Sequence, residues 1–271
     1  MQEHWGNAAD GYRGIQFGFE WNTLLYIEKK VLYGEEPVLY YQFRTRKDGD
    51  GLRVVPDGCV DLLFCCDPAR PFAMVCGSVL AGQRITFLND TDYFGVRLTP
   101  ALSMQIPGLP LKELVEVQAP IEQVWASYAH ASEQIAACRG LNERIRYFER
   151  LGRNMLSAQE DMTGLVTYCL HAVHASKGLV PVQELSAYTG YSERYVRTKF
   201  ENALGMPPKM YNRIIRFQHA LRSMMADGVL LMDVADSHGY YDQAHFAKEF
   251  KTFTGMTPRQ LQQERAGGVG R

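Results

Sequence analysis

Val182–Pro208 reads VQELSAYTGYSERYVRTKFENALGMPP, and Leu231–Pro258 reads LMDVADSHGYYDQAHFAKEFKTFTGMTP. The second stretch repeats the first: Phe200, Gly205, Met206 and Pro208 recur as Phe250, Gly255, Met256 and Pro258. Upstream of the shared phenylalanine the copies slip by one residue, so Gly190-Tyr191 answers Gly239-Tyr240. Each copy has the form helix, glycine turn, helix. One such pattern is a weak signal, but two in tandem predict a rigid body that offers two helices to successive stretches of one DNA groove.

In the first unit, about 181–205, Val182 and Leu185 point inward, Gly190 supplies a left-handed turn and Tyr191 packs beneath it. Ser192 then caps the next helix. On that helix Tyr195 or Val196, with Phe200 and Ala203, faces the core, while Arg194, Arg197, Thr198 and Glu201 face out and Lys199 lies to one side. Arginine forks match guanine acceptors, and threonine offers a methyl or a hydroxyl to a base edge. Pro207-Pro208 opens a long helix, about 207–226, striped by Ile214, Phe217 and Leu221. In the second unit, about 230–255, Gly239 turns, Tyr240 packs and Asp242 caps. Phe246, Phe250 and Phe253 are buried, and Gln243, Ala244, Ala247 and Lys248 are exposed. Gln243 suits adenine, the alanines suit thymine methyls, and Lys248 and Lys251 suit phosphates. Thr257-Pro258 caps a closing helix.

Leu185, Gly190, Ser192, Phe200, Gly205, Pro208, Arg216, Ala220, Ala235, Gly239, Tyr240, Asp242, His245-Phe246, Phe250-Lys251, Gly255 and Thr257-Pro258 form a specific pattern. With them, the segment from about Thr163 to Glu264 resembles the DNA-binding domain of the AraC/XylS family of bacterial transcription regulators. Ser186 departs from the family's usual alanine. The resemblance implies seven helices in two subdomains bridged by the long helix. It places recognition positions on Arg194, Arg197, Thr198, Gln243, Ala244, Ala247 and Lys248. It also implies RNA polymerase as a partner where such a regulator activates.

The net charge of −1, from 29 Lys and Arg against 30 Asp and Glu, hides a gradient. Thr163 to Arg265 carries about twelve basic and about nine acidic residues, roughly +3, so DNA contact should run through placed residues and not a polycationic surface. There is no apolar run of membrane-span length and no charged start followed by an apolar stretch. We therefore expect a cytoplasmic protein without a membrane segment. The 6 cysteines lack framework spacing and suit a reduced compartment.

Residues up to about Lys30 show no clear period. From Pro37 to Pro100 the texture is β: Val38–Arg44, Cys59–Cys66, Met74–Val79, Gln83–Leu88 and Phe94–Leu98, punctuated by Asp/Gly/Pro turns. Such spacing suggests a barrel or sandwich. Helices follow over Ile121 to about Cys138 and Leu141 to Leu156, the latter with Leu141, Ile145, Phe148 and Leu151 inward and Arg144, Arg146, Glu149 and Arg150 elsewhere. Ser157–Asp161 reads as a linker and Gly267–Gly270 as a frayed tail.

Residues 31 to 125 resemble the N-terminal domain of one AraC-family subgroup. The marks are Val55-Pro56-Asp57-Gly58-Cys59 with Asp61-Leu62, Gly95-Val96-Arg97-Leu98, and Leu109-Pro110. This implies a small β-barrel with helices that dimerise or relay a signal, and no site residues transfer with it. Strand alternation puts Asp61 beside Leu63, and Arg97 beside Tyr93 and Gly95. Asp61 and Arg97 are therefore candidate ligand-binding residues, with a plain salt bridge as the alternative.

Cys169, His171 and His174 share a helix but have no accompanying carboxylate, so no metal or cofactor is expected. A cupin-like enzyme is disfavoured because residues 31 to 125 contain no histidine. P-loop, HExxH and nucleophile-elbow patterns do not occur.

The expected protein is thus α+β and not an enzyme. Residues 1–157 form a β-rich, barrel-like sensor with trailing helices, and 158–271 form an all-α DNA reader. Its partners are double-stranded DNA, a small-molecule effector and a second copy of the chain. The alternative is a ligand-independent regulator whose N-terminal half only contacts proteins.

Overall fold

The computed structural model describes residues 12, 14–34, 36–128, 130–152, 164–226 and 228–268. The expected linker at Ser157–Asp161, the domain boundary beside it and the tail beyond Gly268 lie outside the described residues.

The N-terminal half begins with α1 (Phe17–Asn22), β1 (Leu25–Tyr33), β2 (Glu36–Arg44), β3 (Leu52–Val54) and β4 (Val60–Cys65). It continues with β5 (Phe72–Cys76), β6 (Gln83–Ile85), β7 (Asp92–Leu98), α2 (Pro100–Ser103), α3 (Leu111–Leu114) and β8 (Gln118–Pro120). Among the described residues three further helices follow: α4 (Ile121–Val124), α5 (Ala131–Ala137) and α6 (Leu141–Leu151).

The barrel expectation fails. Six strands form one open antiparallel sheet in the order β1-β2-β7-β4-β5-β8, and β3 and β6 form a separate two-stranded ribbon. Closing the sheet would require β1 to pair with β8. The β8 strand is only 3 residues long and ends in Pro120, which has no N–H to give a ladder. At the other edge β1 pairs only with β2, and Lys29 and Lys30 stand exposed along it, which discourages edge-to-edge pairing. The 9-residue β1 also corrects the reading of the first stretch as aperiodic.

One sheet face buries Val38, Tyr40, Leu62, Phe64, Phe94 and Val96 against Ile135, Ile145 and Phe148 of α5 and α6. The predicted helix over Ile121–Cys138 is broken into α4, a 3₁₀ turn at Ala126–Tyr128, and α5. Arg144, expected outside the stripe, is buried; its Nη1 donates to the Gln42 side-chain oxygen at 2.6 Å. The other face, with Tyr41, Phe43, Leu63, Cys65 and Tyr93, packs against Phe19 of α1 and Leu52 of the ribbon.

The C-terminal half is all helix: α7 (Leu165–Ala175), α8 (Val182–Thr189), α9 (Glu193–Leu204), α10 (Pro208–Met224), α11 (Leu231–Ser237), α12 (Gln243–Thr254) and α13 (Pro258–Gly268). The long α10 buries Tyr211, Ile214, Ile215, Phe217, Ala220 and Leu221, and so runs through the cores of both units. Phe17, Val55 and Ala101 from the N-terminal half join that same core.

Gln218 lies on the apolar stripe of α10, one helical turn after Ile214. Its side chain accepts from the Ile15 N–H at 2.7 Å and donates to the Pro56 carbonyl at 2.7 Å. A buried amide left without those partners costs ~1–3 kcal/mol. This polar residue therefore fixes the register between the halves.

His174 of α7 sits within 2.8 Å of the Tyr211 hydroxyl, with Tyr12 against its ring at 4.6 Å between centroids. Burial, then the neighbouring His219 and His171, lowers its pKa to about 3. A lowered histidine contributes stability above its unfolded pKa of ~6.5, and that contribution is lost as pH falls toward 3. Wild type should therefore lose about 1–2 kcal/mol more unfolding free energy than His174→Gln between pH 7 and pH 5. Urea titrations at the two pH values measure this. Equal losses in the two proteins would show that His174 does not carry the effect.

Candidate nucleic-acid interface

In both units local chemistry sets where the outer helix starts. Gly190 ends α8 at φ 72°, a conformation costly for any side chain bearing a Cβ, and Gly239 turns at φ 66°. Ser192 Oγ accepts from the Tyr195 N–H at 3.4 Å, and an Asp242 carboxylate oxygen accepts from the His245 N–H at 2.6 Å. Each cap satisfies a helix-end donor, worth ~1 kcal/mol. Thr257 and Gln260 form a reciprocal capping box at the start of α13.

Arg194, Tyr195, Arg197, Thr198 and Lys199 on α9 are exposed around buried Val196 and Phe200. Of the two core candidates at 195 and 196, the valine is the one buried. On α12, Gln243, Ala244, Lys248 and Lys251 are exposed and Ala247 is half-buried, above buried Phe246, Phe250 and Phe253.

The outer faces differ in preparation. Arg197 is held by Glu193 at 3.0 Å, and the Thr198 hydroxyl donates to the Arg194 carbonyl at 2.8 Å, so the threonine engages its own helix. Tyr240 packs as expected, but Tyr191 does not; it is 49% exposed and stacks on Tyr195 at 4.8 Å. Lys199 Nζ lies 5.4 Å from the Tyr195 ring centre. Ser186, the departure from the family pattern, donates to the Tyr191 carbonyl and ties down that turn.

The two outer helices belong to one body. The Glu249 carboxylate of α12, 4% exposed, accepts from Arg213 at 2.7 Å and from Arg216 at 3.2 Å, both on α10. Arg216 also lies 4.8 Å from the Tyr240 ring centre. The sequence reading missed Arg213 and Glu249. Their only local signal was an acidic residue set between Phe246 and Phe250, on the inner side of the helix.

A helix-turn-helix domain family matches residues 185–264, which takes in both units at once. An uncharacterized HTH-type transcriptional regulator of Staphylococcus aureus is 33% identical over 84 residues, 31% of this chain and 11% of that protein. The F1 operon positive regulatory protein of Yersinia pestis is 33% identical over 76 residues, 28% of this chain and 25% of that protein. The chain thus matches only a minor part of the length of these relatives.

Residues 185–264 thus carry a helix-turn-helix domain, as the resemblance to the AraC/XylS regulators implied. Residues 38–120 match a domain of unknown function (DUF6597). Among solved structures, ToxT from Vibrio cholerae aligns at TM-score 0.45 and 12% identity over 84% of this chain and 98% of that one. A DNA-binding transcriptional dual regulator from Escherichia coli K-12 aligns at TM-score 0.36 and 19% identity over 40% and 98%. Among the described residues, no helix is long and apolar enough to cross a membrane.

The N-terminal half contains a cavity of about 280 Å³ between the open sheet, α1 and the β3–β6 ribbon. Asp61 and Arg97 are register partners on β4 and β7 and meet inside it, with Arg97 Nε 3.0 Å from Asp61 Oδ1 and Nη2 3.1 Å from Oδ2. The alternation pairing was therefore legible from sequence. Asp57 was read only as a turn residue; it lies 3.6 Å from Arg97 and accepts from Gln16 at 2.9 Å.

Burial raises the Asp61 carboxyl above the usual range, Asp57 adds to that, and Arg97 opposes it. Burial works against the Arg97 charge, but Asp61 and Asp57 outweigh it and hold the guanidinium cationic. His171 is exposed, Cys169 is in the core and His174 faces Tyr211, so the three do not converge. Among the described residues no His/Cys/Asp/Glu group is arranged to hold a metal.

Proposed function

We propose that α9 and α12 read two segments of one major groove about one helical turn, ~34 Å, apart. The observation that carries this is the exposure of the N-terminal faces of both helices on a body clamped through Glu249. In this reading Arg194 and Arg197 lead base recognition, with the Thr198 methyl beside them. Ser192, Tyr195 and Lys199 contact the flanking backbone. Gln243, Ala244 and Ala247 make softer contacts in the second segment, and Lys248 and Lys251 meet phosphates.

Selection from random duplexes followed by footprinting of the full chain should give two protected segments about 10 base pairs apart, centre to centre. Gln243→Ala should relax base preference in one segment only. Equal loss in both would contradict the two-reader arrangement.

The chain divides, on this reading, into a control unit up to about residue 157 and a reader from about 158. Control by a small molecule is favoured over a purely protein-contacting role by one connection. The ribbon that walls the cavity also docks on the second reader: Arg53 Nη1 donates to the Thr254 carbonyl at 2.5 Å, and the Gly82 N–H donates to the Thr252 carbonyl at 3.1 Å. A Cβ at position 82 would stand 2.6 Å from the Phe253 carbonyl oxygen, so only glycine permits this approach. A ligand that moves the ribbon would bias the position of α12, provided it binds the two arrangements unequally. Self-association has a candidate site on β1 through its exposed Leu25, Ile27 and Leu32 side chains, by side-chain packing and not by strand pairing, which Lys29 and Lys30 oppose. RNA polymerase becomes a partner if the regulator activates.

A further inference from the structure

The reading of the N-terminal half as a control unit leaves the chemistry of its ligand open, and the cavity's own charges narrow it. Its charged lining residues, among those described, are Asp57, Asp61, Glu116 and Arg97. Three carboxylates and one guanidinium therefore line it; Asp57 and Asp61 meet Arg97, while the exposed Glu116 accepts from the Leu80 N–H.

Arg97 is already engaged. It meets both Asp61 oxygens, lies 3.6 Å from Asp57, and sits 5.3 Å from the centre of the Tyr41 ring. The exposures point the same way: the Asp61 side chain is 19% exposed, against 6% for Arg97 and 5% for Asp57. What the cavity presents to a visitor is a carboxylate.

Both Asp61 oxygens already accept. Oδ1 takes the Tyr41 hydroxyl and Arg97 Nε, each at 3.0 Å, and Oδ2 takes Arg97 Nη2 at 3.1 Å and Nε at 3.3 Å. A visiting ammonium would displace the longest of these, the 3.3 Å Nε contact, and share the carboxylate with Arg97. An anionic visitor would have to displace Asp61 from Arg97 while standing beside like charges in a water-poor site, where repulsion is weakly screened. Besides Gln16, Gln83, Thr86 and Gln118, the remaining walls are mostly apolar or aromatic, with Phe87 edge-on to Tyr93 at 5.1 Å. A cavity of ~150 Å³ already holds benzene, so this one has room for a ring and a short arm.

We infer that the cavity binds a compact organic cation, a protonated amine on an aromatic body, with the ammonium at Asp61 and the ring among Phe72, Phe87 and Tyr93. This deepens the control-unit reading and rests on it.

The test is calorimetric titration of the full chain with phenethylamine, 2-phenylethanol and 3-phenylpropionate, a matched cation, neutral and anion. The amine should bind about 10- to 100-fold more tightly than the alcohol, the worth of one charge-assisted hydrogen bond, and the acid should not bind. Asp61→Asn should remove that preference by weakening the amine and sparing the alcohol. Should that variant fail to fold, Ile85→Trp, which fills the cavity from the ribbon, should abolish amine binding.

Equal or tighter binding of the alcohol or the acid overturns the ligand class, as does no binding of the amine at millimolar concentration. Footprinting of the same samples separates the two readings. Amine binding without any change in operator affinity sinks the control reading and leaves the site. A change in operator affinity caused by the acid sinks the site's chemistry and leaves control standing.

Discussion

Replacing Arg194 and Arg197 together with alanine should abolish protection of the specific DNA site while leaving thermal unfolding nearly unchanged. Both side chains are exposed on the N-terminal half of α9, with Arg197 oriented by Glu193. An arginine fork on guanine is worth ~1–3 kcal/mol of discrimination. Loss of both removes about 2–6 kcal/mol, roughly 30- to 25,000-fold in affinity for the selected site. The folded state loses little, because an exposed i,i+4 ion pair contributes only ~0.3–0.5 kcal/mol. Footprinting and thermal unfolding of one preparation measure both quantities. An intact footprint in the double variant would remove α9 from the role of reader.

The second large effect is expected in stability. Glu249→Gln keeps the size of the side chain but leaves Arg213 and Arg216 without their shared anion. Removing one partner of a buried ion pair costs ~3–5 kcal/mol. Arg213 is 36% exposed and water relieves part of that, so about 2–4 kcal/mol is expected here. For a chain of this size that lowers Tm by roughly 4–16 °C. Footprints of the variant should lose the segment read by α12 before the one read by α9, because Glu249 ties α12 to the long helix. A Tm within 1 °C of wild type would show that the three charges behave as a surface cluster.

The residues that were legible in the sequence act over short range. Ser192, Asp242 and the turning glycines Gly190 and Gly239 do their work within four residues, so their roles could be read without knowing what lies above them. The same holds for Asp61 and Arg97, since strand alternation alone assigns them to faces. Tyr191 and Tyr240 show where this stops. They occupy matching positions after matching glycines, yet one is exposed and stacked on Tyr195 and the other is buried under Arg216. The difference comes from α10, whose Arg216 reaches only the second unit. Arg144 misleads for a similar reason. A guanidinium reads as surface until Gln42, 102 residues earlier, accepts a hydrogen bond from it.

By itself, then, the sequence determined the two reader units, the limits of their helices and the opposed charges on β4 and β7, because caps, turns and periodicity are local properties. Tertiary structure alone decided that the sheet stays open, that the β3–β6 ribbon closes a cavity on one side and grips α12 on the other, and that Gln218 and Glu249 lock the halves and the readers in register. Those outcomes depend on which strand edges and buried polar groups find partners far along the chain, and short-range patterning does not record that.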